Sequence, residues 1–296
     1  MTLWEILRAQ RFVCSDDLFA RLAAEKLNGG RMPRNTIAIQ HGAGTFKATA
    51  EGKNVVWQYG TQEIHGSTCN FTVTDDNAQI LVSFDGLLTK FVSNSDAQIL
   101  LDLSDLGGKV TYYLNLYNCK NITGNLSDLG GKVTYYLNLF NCNNTTGSLS
   151  DLDGKLTNYL NLYNCANITG SLSDLDGKLT NYLNLYNCTN ITGSLADLGG
   201  KLTTSLNLSD CPNITGSLSD LGGKLTNYLN LSGCQNITGV YSGNSYPTSV
   251  NLSNTGLTAA DMDQTLINFN AGTTKSGTFT ANGMTRTAAS DDAVAG

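Results

Sequence analysis

The sequence predicts an α/β solenoid, a stack of short coils with one parallel sheet running along its length. Three observations carry that expectation. Residues 150–172, SDLDGKLTNYLNLYNCANITGSL, recur as residues 173–195 with a single change, Ala166 to Thr189. The same unit starts at Ser104, Ser127, Ala196 and Ser219, so six consecutive units share a period of 23 residues, and a fixed period of that length marks stacked repeats. Each unit also alternates around its centre. Leu160 and Leu162 point to one side of a strand, and Tyr159, Asn161 and Tyr163 to the other.

The coil follows from these letters. After Cys165 the chain turns back, and Ile168, Leu172, Leu175 and Leu179 supply further apolar contacts. One coil cannot enclose a core, whereas stacked coils bury a continuous one and bring identical residues into columns. The run Leu160-Asn-Leu162-Tyr-Asn-Cys165-Ala-Asn-Ile168 resembles the cysteine-containing type of bacterial leucine-rich repeat, in which Cys stands for the usual Asn and an Ile-Thr pair follows. The resemblance covers about half the chain. It implies a right-handed leucine-rich-repeat solenoid with a parallel concave sheet, and it says little about chemistry.

Residues 1–30 read as a helical N-terminal segment, with Trp4, Ile6 and Leu7 in a first piece. A second piece is capped by Ser15 and carries Leu18, Phe19, Leu22, Ala23 and Leu27 on one face, ending at Gly29-Gly30 before Pro33. It reads as a cap or as a docking arm, and it resembles short N-terminal stretches of tail-related proteins of bacterial phages.

Residues 31–86 read as a small all-β domain with strands at 36–40, 44–50, 54–59, 70–74 and 78–84. Trp57, then Thr72-Val-Thr74, then a strand ending at Asp85-Gly86 resemble the small immunoglobulin-like domains that precede bacterial leucine-rich repeats. Gln58-Tyr59-Gly60 stands where that family has an acidic Gly-Asp-Gly turn.

Residues 87–258 form the solenoid, six consensus repeats at 104–241 plus degenerate end coils. In the first of these, 87–103, polar Ser93 and Asp96 take the positions of Leu116 and Cys119, as a coil that covers an open end allows. Residues 259–296 form a C-terminal cap. Val250-Asn-Leu252-Ser-Asn-Thr255 repeats the strand signature, and Thr258 opens a helix over 259–268 with Asp261 in a capping-box position. Met262, Leu266 and Phe269 share one side of it; 277–281 add a last strand and 288–295 another helix.

Composition narrows the partners. Charged residues make up 14% of the 296, the net charge is −6 and no basic cluster occurs, so no nucleic-acid partner is expected. Glu5, Arg8, Arg11, Asp16 and Asp17 interrupt any leader core, so no signal peptide is expected and synthesis is cytoplasmic. No apolar run reaches the roughly 20 residues that span a bilayer, so no membrane insertion is expected. Six of eight cysteines, Cys119, Cys142, Cys165, Cys188, Cys211 and Cys234, form one inward column at the repeat spacing. They read as free buried thiols rather than disulfides or metal ligands, since a metal needs ligands converging on a point and this column spreads them along a line.

Four outward columns bear on function. Tyr113, Tyr136, Tyr159, Tyr182, Ser205 and Tyr228 form the first, and Asn115, Asn138, Asn161, Asn184, Asn207, Asn230 and Asn251 the second. Tyr117, Phe140, Tyr163, Tyr186, Ser209, Ser232 and Ser253 form the third. Their aromatic and amide members are the candidate ligand-binding face, because rigid rings with polar tips offer contact area at low entropic cost. The alternative is that the rings stack on one another and stabilise the sheet; the two are compatible. The fourth column runs from Asp105 to Asp220, each four residues before a lysine, and reads as a solvated turn of alternating charge. Asn121-Ile-Thr123 and its copies match a glycosylation pattern that the repeat consensus itself produces.

His41 and His65 have no evident partner, the thiols are inward, and no nucleophile, base and orienting group assemble. A non-enzymatic recognition or adhesion protein is therefore expected, without metal or cofactor, binding a protein or cell-surface glycan through Tyr113, Asn115, Tyr117, Tyr136, Asn138, Phe140, Tyr159, Asn161, Tyr163, Tyr182, Asn184, Tyr186 and Tyr228. The resemblances add a bacterial surface or phage-tail setting. The second expectation is a structural spacer or assembly component whose repeats serve length.

Overall fold

The computed structural model describes residues 35–93, 95–243, 245–272 and 277–295. The helical segment expected at 1–30 lies outside them.

The repeats stack as their period requires. Strands Val110–Asn115, Tyr136–Asn138, Tyr159–Asn161, Tyr182–Asn184, Ser205–Asn207, Tyr228–Asn230, Ser249–Asn251 and Thr278–Thr280 lie side by side, all parallel. Register pairs each residue with its copy one repeat away, Leu160 with Leu137 and with Leu183. A register slip would turn every leucine outward, so the repeat and the sheet enforce each other. A second set of short parallel strands, from Gly147–Ser148 to Asn236–Thr238, runs along the returning side.

Between these two sets the core is a bundle of columns. In one repeat Leu156, Leu160, Leu162, Cys165, Ile168, Leu172 and Leu175 are all buried. Each column thiol faces the preceding coil, where Sγ donates to a backbone carbonyl, that of Ser93 for Cys119 and of a leucine for the other five, as Cys165 to Leu139 and Cys188 to Leu162, all three at 3.1 Å. All six are free. Burial pushes the thiols of Cys165, Cys211 and Cys234 up to about 12.

The fold is mostly strand rather than α/β. On the returning side the first coil makes one α-helical turn, Leu103–Leu106, and the following coils each make one 3₁₀ turn, as at Leu149–Leu152 and Leu172–Leu175. Among the described residues, the only helix longer than five residues is Ala259–Ala271. The repeat explains this, because its Leu-Ser-Asp-Leu segment ends at a left-handed residue after one turn. That residue is Gly130, Asp153, Asp176, Gly199 or Gly222, each with φ between 54° and 65°.

The aspartate column has a different role from the one expected. Asp151 Oδ2 accepts the Ser148 backbone N–H at 2.7 Å, and Asp174 accepts that of Ser171 at 2.8 Å, closing a capping box around each turn. Lys155 and Lys178 pair instead with Asp153 at 2.8 Å and Asp176 at 2.6 Å.

Before the repeats come five strands, β1 (Asn35–His41), β2 (Gly44–Tyr59), β3 (Gln62–His65), β4 (Thr68–Val73) and β5 (Ala78–Val92), paired antiparallel. The segments expected as 44–50 and 54–59 are one bent strand, β2, whose pairing with β5 shifts register between Glu51 and Val56. Trp57, Phe46, Phe71 and Phe84 fill the interior. The boundary expected at 86/87 falls inside β5, which continues past Gly86 and pairs parallel with the first repeat strand, Phe91 beside Leu114. One hydrogen-bonded sheet therefore joins the two parts.

At the other end, Thr258 caps its helix through Asp261, whose N–H donates to Thr258 Oγ1 at 3.1 Å. Met262 is buried, with Leu266 and Phe269 packed against the core. Thr278–Thr280 extends the sheet. Asp291–Ala295 forms the last helical turn.

Candidate functional site

The outward side of the parallel sheet carries the predicted residues. Tyr113, Tyr136, Tyr159 and Tyr182 form a continuous stack, with ring centroids 4.1, 4.1 and 4.3 Å apart and planes within 11° of parallel. Tyr117, Phe140, Tyr163 and Tyr186 form a second, at 4.6, 4.4 and 4.3 Å. The strand spacing of ~4.8 Å brings equivalent rings to stacking distance. Within each stack the ring faces cover one another, leaving edges and hydroxyls toward solvent. Lys90 Nζ lies 5.4 Å from the Tyr113 ring centroid, at the far end of the first stack.

The asparagines between the stacks are spoken for. Asn138, Asn161 and Asn184 are buried. Each side-chain oxygen accepts the backbone N–H two residues on, that of Phe140, Tyr163 or Tyr186, at 3.1 Å. Each amide nitrogen donates to the hydroxyl two residues back, that of Tyr136, Tyr159 or Tyr182, at 3.2–3.4 Å. Asn115 and Tyr117 make the same side-chain-to-backbone bond at 3.0 Å. These side chains end the strand and orient the tyrosines, so the accessible part of the face is aromatic.

A further column, Asn118, Asn141, Asn164 and Asn187, had no assigned role in the sequence. These residues hold left-handed backbone, φ 57–62°, and their amides link coil to coil at 3.0–3.2 Å. The asparagines of the glycosylation-like motif are also tied down, Asn167 Nδ2 donating to the Asn143 carbonyl at 3.0 Å and Asn190 to Ala166 at 2.8 Å. The Tyr112 and Tyr135 rings, stacked at 4.6 Å, form a separate aromatic pair, and Tyr112 is 47% exposed. The signal was the Tyr-Tyr pair of the first two repeats, which later repeats replace with Asn158 and Asn181.

Burial pushes the phenols of Tyr136 and Tyr159 up, so they act as neutral hydrogen-bonding groups. Tyr186 is raised by its neighbour Tyr163 and then by Asp210.

Both stacks stop at one coil. Ser205 and Ser209 replace the rings, Asp210 replaces the left-handed asparagine, and the first column resumes at Tyr228 while the third continues as Ser232 and Ser253. Core and register pass through this coil unchanged, with Leu206, Leu208 and Cys211 fully buried.

The histidines separate. His65 lies at the surface beside Glu63, 2.6 Å away. His41 is fully buried; Nδ1 donates to the Gly42 carbonyl and Nε2 meets Asp96 at 3.0 Å. Among the described residues no group of three or more His, Cys, Asp or Glu is placed to hold a metal ion, and no helix is long and apolar enough to cross a membrane. In comparisons with known proteins, no family, no curated protein and no solved structure matches the chain.

Proposed function

We propose that this chain is a recognition or adhesion protein without catalytic activity, binding a protein or glycan through the aromatic side of its parallel sheet. We further read the coils as right-handed leucine-rich repeats of the cysteine-containing bacterial type, with a concave ligand face, set after an immunoglobulin-like unit. What supports the family reading is the 23-residue period with its buried cysteine column.

The observation that carries the functional reading is the break at Ser205 and Ser209. A column of rings that served only the sheet gains nothing by stopping in a coil whose core and register are intact. A change from aromatic to small and polar on the outer side, in a coil that keeps its core leucines and cysteine, is what ligand selection produces. A surface or phage-tail setting fits such a module.

The second reading, a spacer within a larger assembly, draws on the ring-to-ring stacking. Rings that cover one another's faces contribute to sheet stability, ~0.2–1 kcal/mol per cross-strand pair. A glycan and surface-protein array probed with the chain and with a folded Tyr136→Ser/Tyr159→Ser/Tyr182→Ser variant separates the two. Binding lost in the variant is the expected result; no binding by either protein favours the spacer.

A further inference from the structure

The register places Tyr182, Ser205 and Tyr228 in one row across three adjacent strands. Neighbouring rings in this row stand 4.3 Å apart where both are present. Removing one ring leaves Tyr182 and Tyr228 separated by about twice that distance, which is the room one flat ring needs to stack on both. The gap lies next to the free end of the other stack, where Tyr186 faces Ser209 rather than a ring.

The floor of this gap is polar, and two of its groups have no partner among the described residues. In the coils at Asn138, Asn161, Asn184 and Asn230, the asparagine amide donates to the tyrosine hydroxyl two residues back. Asn207 has Ser205 at that place. Its side-chain oxygen accepts from the Ser209 N–H and hydroxyl at 3.1 and 2.8 Å, while no described group accepts from its amide nitrogen. Ser205 Oγ likewise has no partner among the described residues. Both side chains are more than nine-tenths buried, Ser205 at 3% and Asn207 at 9% exposure. Asp210, exposed at the rim, adds a carboxylate.

We infer that this one-ring gap is a glycan subsite that takes a single pyranose between Tyr182 and Tyr228. The inference rests on the recognition reading above and names its ligand class. A pyranose offers two apolar C–H faces to the rings and a rim of hydroxyls to Ser205 Oγ, Asn207 Nδ2 and Asp210. An aromatic side chain from a protein partner fills the same thickness but covers Ser205 Oγ and Asn207 Nδ2 without supplying them partners, which their desolvation penalises.

The test measures saturation-transfer NMR and titration of the whole chain with the methyl glycosides of glucose, galactose, mannose and N-acetylglucosamine. Three variants are compared: Ser205→Tyr, Tyr228→Ala and Ala166→Thr. Ser205→Tyr restores the repeat consensus and so keeps the fold while filling the gap. The expected result is binding of at least one glycoside, weakened about tenfold or more by Ser205→Tyr and by Tyr228→Ala and unchanged by Ala166→Thr, the exchange already present one repeat later. Glycoside binding that survives Ser205→Tyr, or no glycoside binding by the parent chain, overturns the proposal. Array binding that survives Ser205→Tyr but fails in the triple serine variant overturns the subsite and leaves the recognition reading standing; no array binding at all removes both.

Discussion

Nε2 of His41 lies 3.0 Å from the Asp96 carboxylate, in the seam where β1 meets the first coil. Asp96 occupies the position that cysteine holds in the six coils that follow, and His41 is the buried group that accounts for the exchange. With Nδ1 donating to the Gly42 carbonyl, the second ring nitrogen faces the Asp96 carboxylate, so both ring nitrogens are held. Removing either partner strands the other in a buried site. His41→Ala and Asp96→Asn are expected to lower stability by about 3 kcal/mol each, read from urea denaturation. A loss below about 0.5 kcal/mol in both would contradict a joint held by this pair.

The cysteine column makes the fold sensitive to alkali. A thiol raised by burial from 9.0 to about 12, as in Cys165, Cys211 and Cys234, stays protonated in the folded chain while the unfolded chain ionises. Stability is therefore full below pH ~9 and declines as pH rises toward 12, by up to about 1.4 kcal/mol per unit for each such thiol. The denaturation midpoint is expected to fall as pH rises from about 9 toward 12, the window these values set, and a Cys165→Ala variant should show a shallower slope.

One glycine in each coil meets the coil before it. Gly170 holds φ +108°, and a Cβ there would stand 2.7 Å from Ser148 Oγ and 2.8 Å from the Leu149 nitrogen. Gly170→Ala should cost about 2–4 kcal/mol through backbone strain and coil separation. Ala166→Thr, the change already present one repeat later, should stay within about 0.5 kcal/mol. Thermal denaturation of the two variants side by side checks both expectations.

The cap at the C-terminal end is sensitive to acid. Asp263 accepts from the Thr287 hydroxyl and N–H and from the Ser290 hydroxyl, at 2.6, 3.0 and 2.7 Å. These bonds, Thr287 first and Ser290 next, hold its carboxyl below the usual carboxylate range. The stabilisation is present above the unfolded value of about 3.9 and is lost as pH falls below it. Amide exchange at Thr287 and Ala289 is expected to speed up below pH 4 in the parent chain, and to be fast already at pH 6 in Asp263→Ala.

The period made the parallel sheet, its register and the leucine and cysteine columns legible, because strand alternation fixes sidedness once one register is known. It also made the tyrosine rows legible as rows. The side-chain-to-backbone bonds were hidden. Asn161 and Asp174 look like outward polar residues in an alternating pattern, and only the local turn shows them ending a strand and capping a 3₁₀ turn. Gly86 read as a strand end, yet with φ +68° it sits within the continuous β5. His41 and Asp96 are 55 residues apart and His41 lies before the first coil, so nothing periodic pairs them.

The most direct test of the recognition account uses two altered chains that retain the fold by circular dichroism. One lacks residues 150–172, a single coil whose removal leaves its near-copy in register; the other is Tyr136→Ser/Tyr159→Ser/Tyr182→Ser. Binding to the ligand found on the array is measured for both against the parent chain. The account predicts that the shortened chain binds within about threefold of the parent and that the serine variant loses about tenfold or more. Equal binding by parent and serine variant, or loss on shortening with none on serine substitution, would contradict it.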